Sequence, residues 1–210
     1  MLLTAGTTKA FNVADEPGEA RERYGETVNG MSLLLARRLA VKPACRSSRC
    51  FGKRISSWPR NVASAGGWDT HGNNFNCLKE GLLPEFDRAF SALIEDLHDR
   101  GMLDETLLLV NSEMGRKPKI GDPRSGGVSG AGRDHWTHCL SVVMAGGGIR
   151  GGQTYGSTDR LGEYPADLPV TPADIAKTVY RSMGVNNLEA YDRENRPYNL
   201  LAEGEALPLF

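Results

Sequence analysis

Cysteine is scarce in this 210-residue chain, with four residues at positions 45, 50, 77 and 139. They are too few and too irregularly spaced for a disulfide scaffold, and no CxxC pair offers a zinc or redox motif. Long apolar runs are missing as well: none approaches the ~18 residues that a membrane-spanning helix needs. The opening stretch MLLTAGTTKAFNVADEPGEARERYG lacks a basic-then-apolar export signal and turns acidic early. Charge of one sign is not in excess either. The 25 basic and 26 acidic residues leave a net charge of -1, which argues against a dedicated nucleic-acid binder. There is no internal repeat. What remains, 40% hydrophobic and 24% charged, is ordinary globular composition for one sizeable domain, or two only if both are small.

The neutrality is an average over unlike segments. Residues 41–65 carry six basic residues and no acid, whereas 66–210 carry 14 basic and 21 acidic residues. The basic stretch, VKPACRSSRCFGKRISSWPRNVASA, follows neither helical nor strand periodicity, and reads as an irregular, disordered or surface segment. Three parts follow: a helical segment over 1–40, the irregular basic segment 41–65, and a body over 66–210.

Within the first part, GETVNGMSLLLARRLA places Met31, Leu34, Leu35, Arg38 and Leu39 near helical spacing, with Arg37 and Arg38 suited to a helix C-terminus. Leu82 to Arg100 is the clearest helix. Leu82, Leu83, Phe86, Phe90, Leu93, Ile94 and Leu97 share one face, Glu85, Asp87, Glu95, Asp96 and Asp99 face water, and Gly101 suits the C-terminal cap. Thr106–Ser112 and Cys139–Ala145 are continuous apolar runs of the kind covered on both faces of a parallel sheet. Thr171, Pro172 and Asp174 open a further helix, with Ile175, Val179 and Met183 on its buried face and Gly184 at its end. This order predicts an α/β layered fold with a largely parallel sheet.

Hard ligands gather at the ends of these elements. Gly67-Trp68-Asp69-Thr70-His71 is one cluster, Ser112-Glu113 a second, and Arg133-Asp134-His135-Trp136-Thr137-His138 a third. Asp69, His71, Glu113, Asp134 and His135 make five donors, with His138 in reserve, enough for one divalent metal or a pair ~4 Å apart. Mixed carboxylate and imidazole donors suit Zn, Mn or Fe better than Ca. Arg116 and Arg133 are candidates to bind a tetrahedral oxyanion. The glycine run 146–148 lacks the Lys-Ser/Thr of a phosphate-binding loop and reads as a strand-end loop. Cys77 and Cys139 read as buried thiols.

The same residues carry a resemblance. GGWDTHGNNF, LLPEFDRAFSALIEDLHDRGMLDETLLLV, SEMGRKPKI, GRDHW, AGGGIRGGQTYGSTD and PVTPADIAKTVYRSMGV resemble successive blocks of the bacterial domain-of-unknown-function family 1501. The family is regarded as sulfatase-like, within the alkaline phosphatase superfamily. The blocks cover about 66–200, and AFNVADEPGEARERYG and LLLARRLA extend the match more weakly into 10–40. The resemblance implies a three-layer αβα fold and metal-dependent hydrolysis of a phosphate or sulfate ester, small-molecule or glycan. It also implies Asp69, His71, Asp134 and His135 as metal ligands, with Glu113 as a strand-end acid.

Family members carry an N-terminal export signal, a first core strand, a metal-binding Asp and the nucleophile region, and most are exported to the periplasm or cell envelope. This chain reads as beginning after those parts, and as carrying the basic segment where the family has an apolar strand. The resulting expectation is a truncated or frame-disrupted product with an incomplete sheet and no assigned nucleophile. Two functions follow: a metal-dependent ester hydrolase (Zn, Mn, Fe or Ca), or a non-catalytic metal-binding remnant.

Overall fold

The computed structural model describes residues 5–41, 67–121 and 132–210. The basic segment expected to be irregular therefore lies outside the described residues, apart from Val41. The chain divides into two compact units, one of residues 1–102 with 117–135 and the other of 103–116 with 136–210.

The first unit is helical. Helices α1 (Ala5–Ala10), α2 (Gly18–Tyr24), α3 (Val28–Ala40), α4 (Asn74–Asn76) and α5 (Leu83–Asp99) follow one another, and Cys77–Leu82 forms a π-helical turn leading into α5. Thr27 caps α3, its hydroxyl accepting from the Gly30 amide at 3.1 Å. Helices α2, α3 and α5 pack on one another. Between them lie Tyr24, Leu34, Leu82, Ala89, Ala92, Leu93 and Leu97, all buried. Gly101, in the left-handed region at φ 66°, ends α5, and the Met102 amide returns to the Leu97 carbonyl at 2.8 Å.

The polar side of that core departs from expectation. Asp96 does not face water: its side chain is 11% exposed and lies 2.8 Å from Arg37 Nε. The Tyr24 hydroxyl donates to Asp96 at 2.9 Å, and Arg100 donates to its other oxygen at 2.5 Å. Arg37 reaches on to Glu16 at 2.7 Å, and Arg38 pairs with the same carboxylate. Arg37 is thus the centre of a buried ion network joining α2, α3 and α5, which offsets desolvation with several partners at once. Helical spacing put Asp96 at the margin of the apolar face, where only the opposing helix decides whether it is covered.

The second unit is built from short strands and one helix. Its strands are β1 (Leu108–Val110), β2 (Gly115–Arg116), β3 (His135–Trp136, entering from the first unit), β4 (Val143–Ala145), β5 (Ser157–Thr158), β6 (Pro165–Asp167), β7 (Glu189–Tyr191) and β8 (Pro197–Asn199). Helix α6 (Pro172–Ser182) opens with the capping box of Thr171 and Asp174 that the sequence indicates. The C-terminal tail closes on α6: the Glu205 amide donates to Asp174 at 2.7 Å and the Leu207 amide to the buried Thr178 hydroxyl at 2.9 Å. Leu201, Leu207 and Leu209 are buried, whereas Met183, expected on the buried face of α6, is exposed.

The expected three-layer αβα architecture with a largely parallel sheet is corrected by these strands. They are two or three residues long and form two-stranded sheets. β1 pairs with β4 antiparallel, with Leu109 opposite Met144, and β5–β6 and β7–β8 are likewise antiparallel. A parallel pair needs a long crossover, usually a helix, between its strands. Among the described residues no helix lies between Val110 and Val143. The apolar runs at 106–112 and 139–145 suggested strands covered on both faces, yet Leu109 and Val143 are exposed. A short apolar run does not by itself reveal how many of its faces are covered. No helix of the described residues is long and apolar enough to cross a membrane.

Candidate metal centre

The loop before α4 is shaped by its own residues. Trp68 anchors one end, its ring edge-on to Phe86 of α5 at 6.1 Å. The Thr70 amide donates to the Trp68 carbonyl at 2.9 Å, a three-residue turn that puts Asp69 at its apex. Thr70 then points inward, 1% exposed, and its hydroxyl donates to the buried Asn74 at 2.5 Å. Asn73, left-handed at φ 53°, starts the helical segment. Asp69 is left projecting into solvent, with His71 half-buried beside it.

The second segment, residues 132–135, is stitched against this loop. The Arg133 amide donates to the His71 carbonyl at 3.0 Å, and the Lys117 amide donates to the Asp134 carbonyl at 2.7 Å. Arg133 Nε donates to the Lys117 carbonyl at 2.7 Å, so part of the guanidinium proposed for an oxyanion is engaged on the backbone. Asp134 is buried and His135 exposed, so the two adjacent side chains leave the segment in different directions.

Asp69, His71 and His135 converge. One ligand atom from each lies within 4.8 Å of the others. Asp69 Oδ1 is 3.0 Å from His71 Nε2 and 2.7 Å from His135 Nε2, and the two imidazole rings lie 4.7 Å apart. Donors bonded at 2.0–2.2 Å to a common ion stand about 2.8–3.6 Å apart, from octahedral to tetrahedral geometry, and the two contacts of Asp69 lie at the short end of that range. Hydrogen bonds have the same length, and the two cases differ in proton count. His71 Nδ1 lies 2.7 Å from Asp134 Oδ1 while Nε2 faces Asp69. A neutral imidazole has one N–H and cannot donate to both carboxylates. A cation shared by Asp69, His71 and His135 would satisfy the Nε2 side without a second ring proton. The donor set, two imidazoles and a carboxylate with one imidazole held by a second carboxylate, fits a borderline divalent metal.

The remaining candidates are placed elsewhere. Glu113 belongs to the second unit, exposed just beyond β1, with the Ser112 hydroxyl donating to it at 3.3 Å. Arg116 lies in β2 of the same unit. So does His138, whose ring lies edge-on to Trp136 at 4.8 Å and tilted against Tyr164 at 5.1 Å. The aromatic contact of His138 with Tyr164, 26 residues away, carries no local sequence signal. The role of Asp134 as the partner of His71 was likewise hidden, because an Asp-His pair reads as two ligands.

Comparison with known families gives one match, over residues 3–208, to the family described as protein of unknown function (DUF1501). The chain belongs to this family. The matched span includes both units and every residue of the convergent group. No curated protein and no solved structure matches this DUF1501 chain.

Proposed function

We propose that the first unit of this DUF1501 chain binds a divalent metal through Asp69, His71 and His135, and that the site serves hydrolysis of a phosphate or sulfate ester. The observation that carries the metal reading is the meeting of two Nε2 atoms on one Asp69 oxygen, with His71 Nδ1 already engaged by Asp134. Three protein donors leave coordination positions open, as in catalytic rather than structural sites. A divalent ion held there supplies Lewis-acid polarisation of an ester oxygen. The exposed faces of Asp69 and His135 leave room for substrate to approach, and Arg133 of the same unit is the cationic side chain proposed to meet its anionic group.

One observation favours a second reading, a metal-binding domain without turnover. Thr70, the hydroxyl between two of the donors, is buried and donates to Asn74, so it is not presented as a nucleophile.

The test is metal binding by calorimetry to the chelator-stripped chain, with Zn²⁺, Mn²⁺ and Ca²⁺. The expected result is binding with Zn²⁺ or Mn²⁺ preferred, weakened at least about 100-fold by His135→Ala or Asp69→Ala. Equal affinity in wild type and both variants would refute the site. Turnover of aryl phosphate or aryl sulfate, lost in His135→Ala, separates the hydrolase from the binding domain.

A further inference from the structure

We infer that Asp134 is a positioning residue that lies outside the metal's ligand set and fixes which nitrogen of His71 faces the cation. The inference rests on reading Asp69, His71 and His135 as a metal site. It departs from the plain expectation for an Asp-His pair, in which both side chains ligate.

Three observations carry it. First, Asp134 Oδ1 lies 2.7 Å from His71 Nδ1, the nitrogen turned away from Asp69. A carboxylate oxygen there accepts Nδ1–H, which leaves the Nε2 lone pair for a metal. Second, the side chain of Asp134 is 13% exposed and that of Asp69 is 69% exposed. The two carboxylates thus sit on opposite sides of the His71 ring, one beneath it and one at the solvent face. Third, the contact is held by backbone rather than by chance approach of side chains. The Arg133 amide is bonded to the His71 carbonyl, and the Lys117 amide to the Asp134 carbonyl. The braced residues, Arg133 and Asp134, directly precede His135, so one short segment supplies a donor from one side chain and orients His71 with its neighbour.

The role differs from that of a ligand in what its loss should do. Removing a ligand changes the number of donors and therefore the metal's electronic spectrum. Removing Asp134 leaves the donors in place and releases the ring of His71 to take the other tautomer. Carboxylates that hold a metal-bound imidazole through its other nitrogen are worth about 10–100-fold in metal affinity.

The experiment uses the full chain with Co²⁺ as the probe, comparing wild type with Asp134→Ala, Asp134→Asn and Asp69→Ala. Asp134→Ala should weaken Co²⁺ about 10–100-fold and keep the visible absorption band shape at saturation. Asp134→Asn, whose amide can donate to Nδ1 and so favour the other tautomer, should also weaken Co²⁺ and keep the band shape. Asp69→Ala should alter the band shape itself. Histidine ¹H–¹⁵N spectra of the metal-free chain at alkaline pH add a readout that needs no ion: the Nδ1–H form of His71 in wild type, and a shift toward Nε2–H in Asp134→Ala and Asp134→Asn. Unchanged affinity in Asp134→Ala, a band change matching that of Asp69→Ala, or an unaltered tautomer overturns the inference. Absence of Co²⁺ binding by wild type, with the tautomer effect intact, overturns the metal site and leaves the positioning of His71 by Asp134 standing.

Discussion

Replacing Asp96 by alanine removes the acceptor of three donors at once. The Tyr24 hydroxyl, on a residue 1% exposed, donates to it at 2.9 Å, and Arg37 Nε stands 2.8 Å from the same oxygen. Arg100 donates to the other oxygen but is 46% exposed, so water can replace that bond at little cost. An orphaned buried hydroxyl costs about 1–3 kcal/mol. A fully stranded buried charge costs about 3–5 kcal/mol. Arg37 retains Glu16, so its share falls well below that range. The expected loss is about 3–4 kcal/mol at pH 7. Asp99, one turn away on the same helix, is the control. It pairs with Arg23 at 3.5 Å with both side chains largely in solvent, and Asp99→Ala should stay within about 0.5 kcal/mol.

Urea unfolding followed by helical circular dichroism measures both, with an unchanged slope required before midpoints are compared. The pH dependence has a fixed sign. Burial pushes the Asp96 carboxyl up, but Arg100, the Tyr24 hydroxyl and Arg37 together hold it below its ordinary value of 3.8. A lowered carboxylate contributes its full stability above that ordinary value and loses it as pH falls through the lowered one. The gap between wild type and Asp96→Ala should therefore be constant at neutral pH and close only below about pH 3.8. Glu16, held down by hydrogen bonds from Arg37 and then Arg38, makes wild type itself acid-sensitive in the same direction. A loss under about 1 kcal/mol at pH 7, or a gap that widens on acidification, would refute the account of this network.

Two further outcomes concern the second unit. Gly146, at φ 72°, has the carbonyls of Thr106 and Leu103 at 2.3 and 2.5 Å from where a Cβ would sit. Gly146→Ala should cost about 2–4 kcal/mol, adding backbone overlap to the left-handed penalty. Gly101→Ala, with nothing within 4 Å, should cost only about 1 kcal/mol, and thermal unfolding compares the two. Thr171→Ala breaks the capping box of α6 and should cost about 1 kcal/mol, read as faster hydrogen exchange in the first turn of α6.

Helices were the most legible part of the fold, because their signals are local. The apolar face running from Leu82 into α5 as far as Leu97, with Leu83 as an exposed exception, the Gly101 cap and the Thr171–Asp174 box follow from side-chain spacing and short-range hydrogen bonds. The sheet was not legible. Leu108–Val110 and Val143–Ala145 have the composition of covered strands, but strand partners and direction depend on contacts more than thirty residues apart. Of the donor clusters, Asp69, His71 and His135 come together, while Glu113 lies in the other unit. Spacing along the chain gave no means of separating them.

By itself, the sequence determined which side chains could do chemistry: few cysteines, no apolar span, acid–histidine pairs in two short loops, and Glu113 in a third. It also determined where helices start and stop. Only the tertiary structure decided how those groups are used. It turned Arg37 and Asp96 from helix-surface charges into the centre of a buried network, because opposing helices cover them. It divided the Asp-His pair into a buried carboxylate beneath His71 and an exposed imidazole on Asp69, since neighbouring side chains on an extended segment leave in different directions. A sequence lists donors, but the direction of each donor atom is set by the backbone that carries it.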